Sequence, residues 1–338
     1  MKRQLLSLCA AASALLALAP IAAHAAERGK LQVVERLNGP DGGWDYASYD
    51  PVRRRIYVAH GTVVLSVDLA TGKLNDNFGP GNRLHEVVVV PGRDLLVTTN
   101  SGDSTAKILK ASDGALLKSL SVAPDPDGAA YDPASGLVVV VNGDSGMLTL
   151  IDPVRRTVAG TIKVGDHLEF GQPDGKGRFY VNVEDKGQIA VVDLKARKMV
   201  GRYDMAGCQR PTGLAYVEGG RLISSCAGVA KIPDAASGKE LASLKIGGFP
   251  DAVLYDPGRH LAYIPTALDG RLWVIALSGK DNNSIVESVP TQPGARTGAV
   301  DLKTGRIYLP TAEYGPLEPG KRPQPKPGTF QILVLDRK

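Results

Sequence analysis

Carboxylates recur in this chain at one place, four residues ahead of a repeated Tyr-Asp-Pro turn and its degenerate copies. Counting back gives Asp45, Glu86, Asp127, His167 (or its neighbour Leu168), Thr212, Asp251 and Arg296, with the first three 41 residues apart each time. Four carboxylates facing one narrow opening repel unless a cation or Arg296 neutralises them. Carboxylate oxygens suit Ca2+ or another hard divalent cation, or a ligand with a cationic group. The competing reading is local: each acid caps backbone N–H groups or pairs with Arg210 or Arg296.

Three histidines map to the same end of the repeats. His60 ends an apolar run, while His85 and His167 precede one, with Glu86 and Glu169 beside them. A His/carboxylate transition-metal site is one reading and isolated surface histidines the other; no HxH or HxxxH spacing decides between them. Cys208 lies just before one strand and Cys226 ends the next, so antiparallel pairing brings them together. A structural disulfide is expected in an oxidising compartment, with two free thiols as the alternative. No nucleophile elbow, P-loop, zinc motif or haem-attachment CxxCH is present.

The elements that position these residues are short strands. DGAAYDPASGLVVVVNGDSGMLTLIDPVRRTVAGTIKVG, from Asp127 to Gly165, holds four β-rich runs separated by D-P-A-S-G, G-D-S-G and D-P-V-R-R. Pro presets φ for a turn, Gly accepts positive φ, and Asp bonds its own backbone. A four-stranded meander of this size cannot bury both faces alone, so it must stack on copies of itself. Copies follow: apolar runs RIYVAH, LLVTTN, LVVVVN, FYVNVE, RLISSC, LAYIPT and RIYLPT mark seven units. The seventh lacks a fourth strand before the chain stops at Lys338, whereas Leu31–Leu37 forms an orphan strand at the other end. Pairing the two removes an exposed edge and closes a ring. The expected fold is all-β: a seven-bladed β-propeller with four antiparallel strands per blade, residues 31–37 closing the last blade.

The regular D-P-x-G turns occupy one face. Connections that differ from blade to blade occupy the other, and variable loops on a repeating scaffold are where binding is usually placed. The Pro-rich stretch 315–328 belongs to this variable face, as a stiff solvated loop or as a lid or docking segment. Residues 1–25 differ from the rest, with Lys2 and Arg3 leading an apolar run that ends at Ala23-His24-Ala25. This reads as a cleaved secretory signal peptide rather than a membrane anchor, placing the propeller (26–338) in the periplasm. Removal of Lys2 and Arg3 takes the formal charge from +5 to +3. The remaining positive residues are scattered in turns, which does not suit a nucleic-acid track.

LLVTTNSGD (Leu95 to Asp103), FYVNV (Phe179 to Val183) and IAVVDL (Ile189 to Leu194) resemble the YVTN-type repeat, and Pro-x-Gly lead-ins recur at Pro126-Asp127-Gly128 and Pro211-Thr212-Gly213. The mature chain looks like a YVTN/YncE-like exported propeller, a family related in fold to the heavy chain of quinoprotein amine dehydrogenases and to propeller lactonases. The shared motifs are strand and turn residues, so the resemblance carries no catalytic residue over. The leading expectation is a non-catalytic module that binds a small ligand or a periplasmic protein at the variable face. The second is a lactonase-like or metal-assisted hydrolase using the acidic mouth with His85 or His167 as general base. The third is a subunit supporting a quinone-bearing partner.

Overall fold

The computed structural model describes residues 29–279, 282–316 and 324–338. The expected signal peptide therefore lies outside the described residues, as does the centre of the Pro-rich stretch. The chain forms strands β1 (Leu31–Asn38) to β28 (Gln331–Arg337), grouped into seven four-stranded antiparallel sheets. Six sheets are simple meanders of consecutive strands. The seventh has the order β1-β28-β27-β26, with β27 spanning Ile307–Thr311 and β26 Ala299–Val300. The N-terminal strand thus supplies the outer strand of the last blade, from Leu31 opposite Arg337 to Asn38 opposite Gln331.

The apolar pattern follows from position within a blade. In the third blade, β11 (Leu137–Asn142) and β12 (Met147–Asp152) lie between neighbouring blades and are covered on both faces. Val138 to Val141 are accordingly all buried, and the sequence reads as a continuous apolar run rather than an alternation. The outer strand of the second blade, β9 (Leu116–Ser121), is mostly exposed, with only the half-buried Leu117 and Leu120 packed against the core and Lys118, Ser119 and Ser121 interspersed. Cores form between blades: Val139, Val141, Leu148 and Leu150 pack with Phe179, Val181, Ala190 and Val192 of the next blade.

The recurrent turn aspartates are structural. Asp132 accepts hydrogen bonds from the backbone N–H of Ala134 and Ser135 and from the Ser135 hydroxyl. Asp50 does the same for Val52 and Arg53. Asp301, in the last blade, also receives both guanidinium nitrogens of Arg54 from the first, adding a charged clasp across the closure. Burial opposes ionisation of Asp301, but its bonds to Arg54 and Thr304 win and hold it down at about 2.

Candidate functional site

The first strands of the first four blades, β2 (Trp44–Asp50), β6 (Leu84–Val89), β10 (Pro126–Asp132) and β14 (Leu168–Pro173), all begin in the same way. Trp44, Leu84, Pro126 and Leu168 pair with the last residue of the second strand: His60, Asn100, Asn142 and Val183. Pairing then resumes at Ala47, Val87, Ala129 and Gly171 after a β-bulge, two residues on the first strand facing one on the second. The bulge residues are Asp45–Tyr46, His85–Glu86, Asp127–Gly128 and Glu169–Phe170. In the sixth blade the bridge Pro250–Thr266 places Asp251 equivalently. The same register puts Thr212 and Arg296 at this position in the fifth and seventh blades.

This corrects the register expected from sequence in two blades. The ring position of the second blade belongs to His85, with Glu86 one residue deeper, and that of the fourth belongs to Glu169, not His167 or Leu168. The ring is Asp45, His85, Asp127, Glu169, Thr212, Asp251 and Arg296. Bulges re-aim side chains near functional sites. Here the following residue also turns inward, so that Tyr46, Glu86 and Phe170 line a cavity of about 320 Å³ along the axis. Tyr46 and Phe170 come from non-adjacent blades, yet their rings lie 4.8 Å apart; they meet across the axis below the ring.

Buried polar residues of the second strands hold the bulge backbone. The Thr99 hydroxyl accepts from the Glu86 N–H at 2.9 Å and donates to the Asp127 carbonyl of the next blade. Asn182 donates to the Thr212 carbonyl at 2.7 Å, and Thr212 donates to the Pro250 carbonyl at 2.8 Å. Thr297 donates to the Asp45 carbonyl at 2.7 Å, so the ring is tied even across its closure.

Two clusters share the mouth. In the first, His85 Nδ1 lies 2.6 Å from Asp45 Oδ2 and 3.3 Å from Asp127 Oδ1, and its Nε2 is 2.9 Å from Ser101 Oγ. In the second, His167 Nδ1 is 3.2 Å from Glu184 Oε2, and its Nε2 is 3.2 Å from Asp144 Oδ1. Arg210 donates to Glu184 at 2.7 and 2.8 Å. In each of the trios Asp45–His85–Asp127 and His167–Glu169–Glu184, the potential ligand atoms lie within 4.8 Å of one another. Arg296 donates to Asp251 at 2.8 Å and to the Trp44 carbonyl at 3.0 Å, and its guanidinium lies over the Trp44 ring.

Negative charge outweighs positive here, and the proton affinities record it. Burial first, then the fields of Asp45 and Asp127, push Glu86 up to about 8. Burial and Asp45 push Asp127 up to about 7 against the pull of His85. Burial raises Asp251 to about 6 although Arg296 opposes it. Glu169 is raised well above the usual range by burial and by Asp127, Asp251 and Glu184. For His85, burial disfavours the charged ring, but the bond to Asp45 and the fields of Asp127 and Asp45 dominate and lift it to about 9.

Of the residues singled out from sequence, Asp45, Glu86, Asp127, His85, Asp251 and Arg296 come together at this mouth, and His167 and Arg210 sit on its edge through Glu184. His60 belongs to neither trio. It is buried with its ring edge-on to Phe330 at 4.6 Å, and burial lowers its proton affinity. Ser101, Glu184 and Tyr46 are members that carry no motif of their own. Cys208 and Cys226 form a disulfide with Cα atoms 5.4 Å apart, tying the loop that leads to Thr212 onto the end of the second strand.

These features define a seven-bladed β-propeller with an acidic ring at the mouth of its axis. No protein-family model and no curated protein sequence matches the chain. Solved structures match over most of its length. Hydrazine synthase of Kuenenia stuttgartiensis superposes with a TM-score of 0.69 at 16% identity, covering 81% of this chain and 92% of that one. The WD40 repeats of RRP9 give 0.75 at 10% identity over 90% and 100% of the two chains. A chain of the mitotic checkpoint complex gives 0.73 at 11% identity over 98% of both. At these identities the likeness is one of fold. Among the described residues no helix is long and apolar enough to cross a membrane, and the disulfide is compatible with an extracellular protein.

Proposed function

We propose that this chain is an exported binding propeller of the YVTN/YncE-like type, which captures a small ligand through a positively charged group at its acidic ring. One observation carries the reading: Asp45, Asp127, Glu169 and Asp251 converge with Glu86 beneath them, and only His85 and Arg296 oppose them within the ring and its floor. Such an arrangement is costly when empty and is relieved by an incoming cation. The irregular rim around it offers side chains for selectivity. Export is supported by the N-terminal sequence pattern and by the disulfide.

A thermal-shift survey of alkylammonium compounds and polyamines tests the proposal. A cationic ligand should raise the Tm of the wild type, and the double substitution Asp127→Asn with Asp251→Asn should remove most of that rise. If no cationic compound stabilises the protein, or the double variant responds like the wild type, the ring is not the binding site. A lactonase-like or metal-assisted hydrolase is the second reading, favoured by a histidine held between two carboxylates. Turnover of lactone or ester substrates that is lost in His85→Ala would replace the binding-module reading with it.

A further inference from the structure

The polar groups around His85 do not balance as they stand. The Ser101 hydroxyl lies 3.3 Å from the Arg83 carbonyl, to which it donates. It therefore accepts from His85 Nε2–H at 2.9 Å, and this fixes Nδ1 as the atom turned toward the carboxylates. Nδ1 carries at most one proton, and Asp45 at 2.6 Å takes it. Asp127 Oδ1, at 3.3 Å from the same nitrogen, is closed off from solvent and has no hydrogen-bond partner. A proton serves one of these oxygens; an ion bound between them serves both.

We infer that Asp45, His85 and Asp127 form a binding site for a divalent first-row transition ion, of which Zn2+ is the best fit. The donor set is one imidazole nitrogen and two carboxylate oxygens, a combination that suits Zn2+, whereas Ca2+ takes oxygen ligands. Bond lengths of about 2.0–2.2 Å in a tetrahedron put ligand atoms roughly 3.3 Å apart. Nδ1 and Asp127 Oδ1 already stand at 3.3 Å, and Asp45 Oδ2, at 2.6 Å from Nδ1, has to open by about 0.7 Å, a rotamer-scale adjustment, to reach the same spacing. Two carboxylates neutralise the dication. Ser101 supplies the outer bond that orients a metal-bound histidine. All three side chains keep some exposure at the mouth (16–21%), although Asp127 Oδ1 itself is closed off.

The inference rests on the mouth being the binding region, but it fails separately, because it is tested with the metal alone. Mature, tag-free protein stripped with chelator is titrated with Zn2+ by calorimetry, and retained metal is counted after gel filtration. One equivalent is expected, not displaced by excess Ca2+. With Co2+ the visible absorption of a tetrahedral site should appear. Asp127→Asn and His85→Ala should weaken binding by about 100-fold or more and Ser101→Ala by about 10-fold, while His167→Ala leaves it unchanged. Variants are compared only where circular dichroism and Tm show them folded. Absence of saturable Zn2+ binding by the wild type overturns the site, even if organic cations still bind. Equally, a Zn2+ affinity that is indifferent to Asp127→Asn and Ser101→Ala, or that is lost in His167→Ala, overturns it.

Discussion

At the scale of single residues, the mouth is a set of groups whose proton affinities are pulled the same way. Glu86, Asp127 and Asp251 are raised to about 8, 7 and 6, and His85 to about 9. An acid whose affinity rises on folding stabilises the fold while protonated and loses that contribution as pH climbs from its unfolded value, near 4, through its folded one. A histidine raised from about 6.5 to 9 contributes fully below 6.5 and loses it over that interval. Both effects run in one direction. Metal-free protein should therefore melt at a lower temperature at pH 8.5 than at pH 5.5, read by scanning calorimetry. Saturating Zn2+ should narrow the gap, because the ion replaces the protons. A flat or rising profile between these values would contradict the charge balance described for the ring.

At the scale of elements, the disulfide and the bulges decide how the ring is presented. Cys208 and Cys226, both buried, close a loop whose constraint on the unfolded chain is worth about 3 kcal/mol. Reduction, or Cys226→Ala with Cys208→Ala, should lower the denaturant midpoint accordingly and loosen the loop before Thr212. This is measurable by guanidinium unfolding with and without reductant and by hydrogen exchange at residues 209–212. The bulges also explain what was legible in the sequence. Tyr-Asp-Pro turns and doubly covered strands leave plain marks, so blades, closure and the cysteine pair could be read directly. Register within a bulge leaves none. The equal spacing of Asp45, Glu86 and Asp127 favoured Glu86, whereas the pairing of Leu84 with Asn100 and of Val87 with Thr98 gives the position to His85. In the fourth blade the marker is degenerate, Gln172-Pro173-Asp174, so Glu169 stood one or two residues from where counting placed the site. Ser101 and Glu184 follow their strands like any turn residues, and only the three-dimensional ring gives them partners.

At the scale of the whole molecule, the ring of blades is held by one non-consecutive pairing, β1 on β28, reinforced by the Arg54–Asp301 clasp and by Thr297 on Asp45. Removal of residues 29–38 leaves β28 as a bare edge, open to pairing with another chain. The truncated protein should unfold over a broader, lower transition and associate, as read by calorimetry and light scattering. A truncated form that stays monomeric and melts like the full chain would mean that closure contributes little. The aromatic contact between Tyr46 and Phe170 has a different consequence. Because side chains from opposite sides of the disc touch behind the carboxylates, they stand between the acidic ring and the axial cavity, which runs on past Ala47, Val88, Ala130 and Gln172. Tyr46 and Phe170 thus divide the axis into an acidic vestibule and an inner chamber, and exchange with the vestibule is expected by way of the irregular loops at its rim.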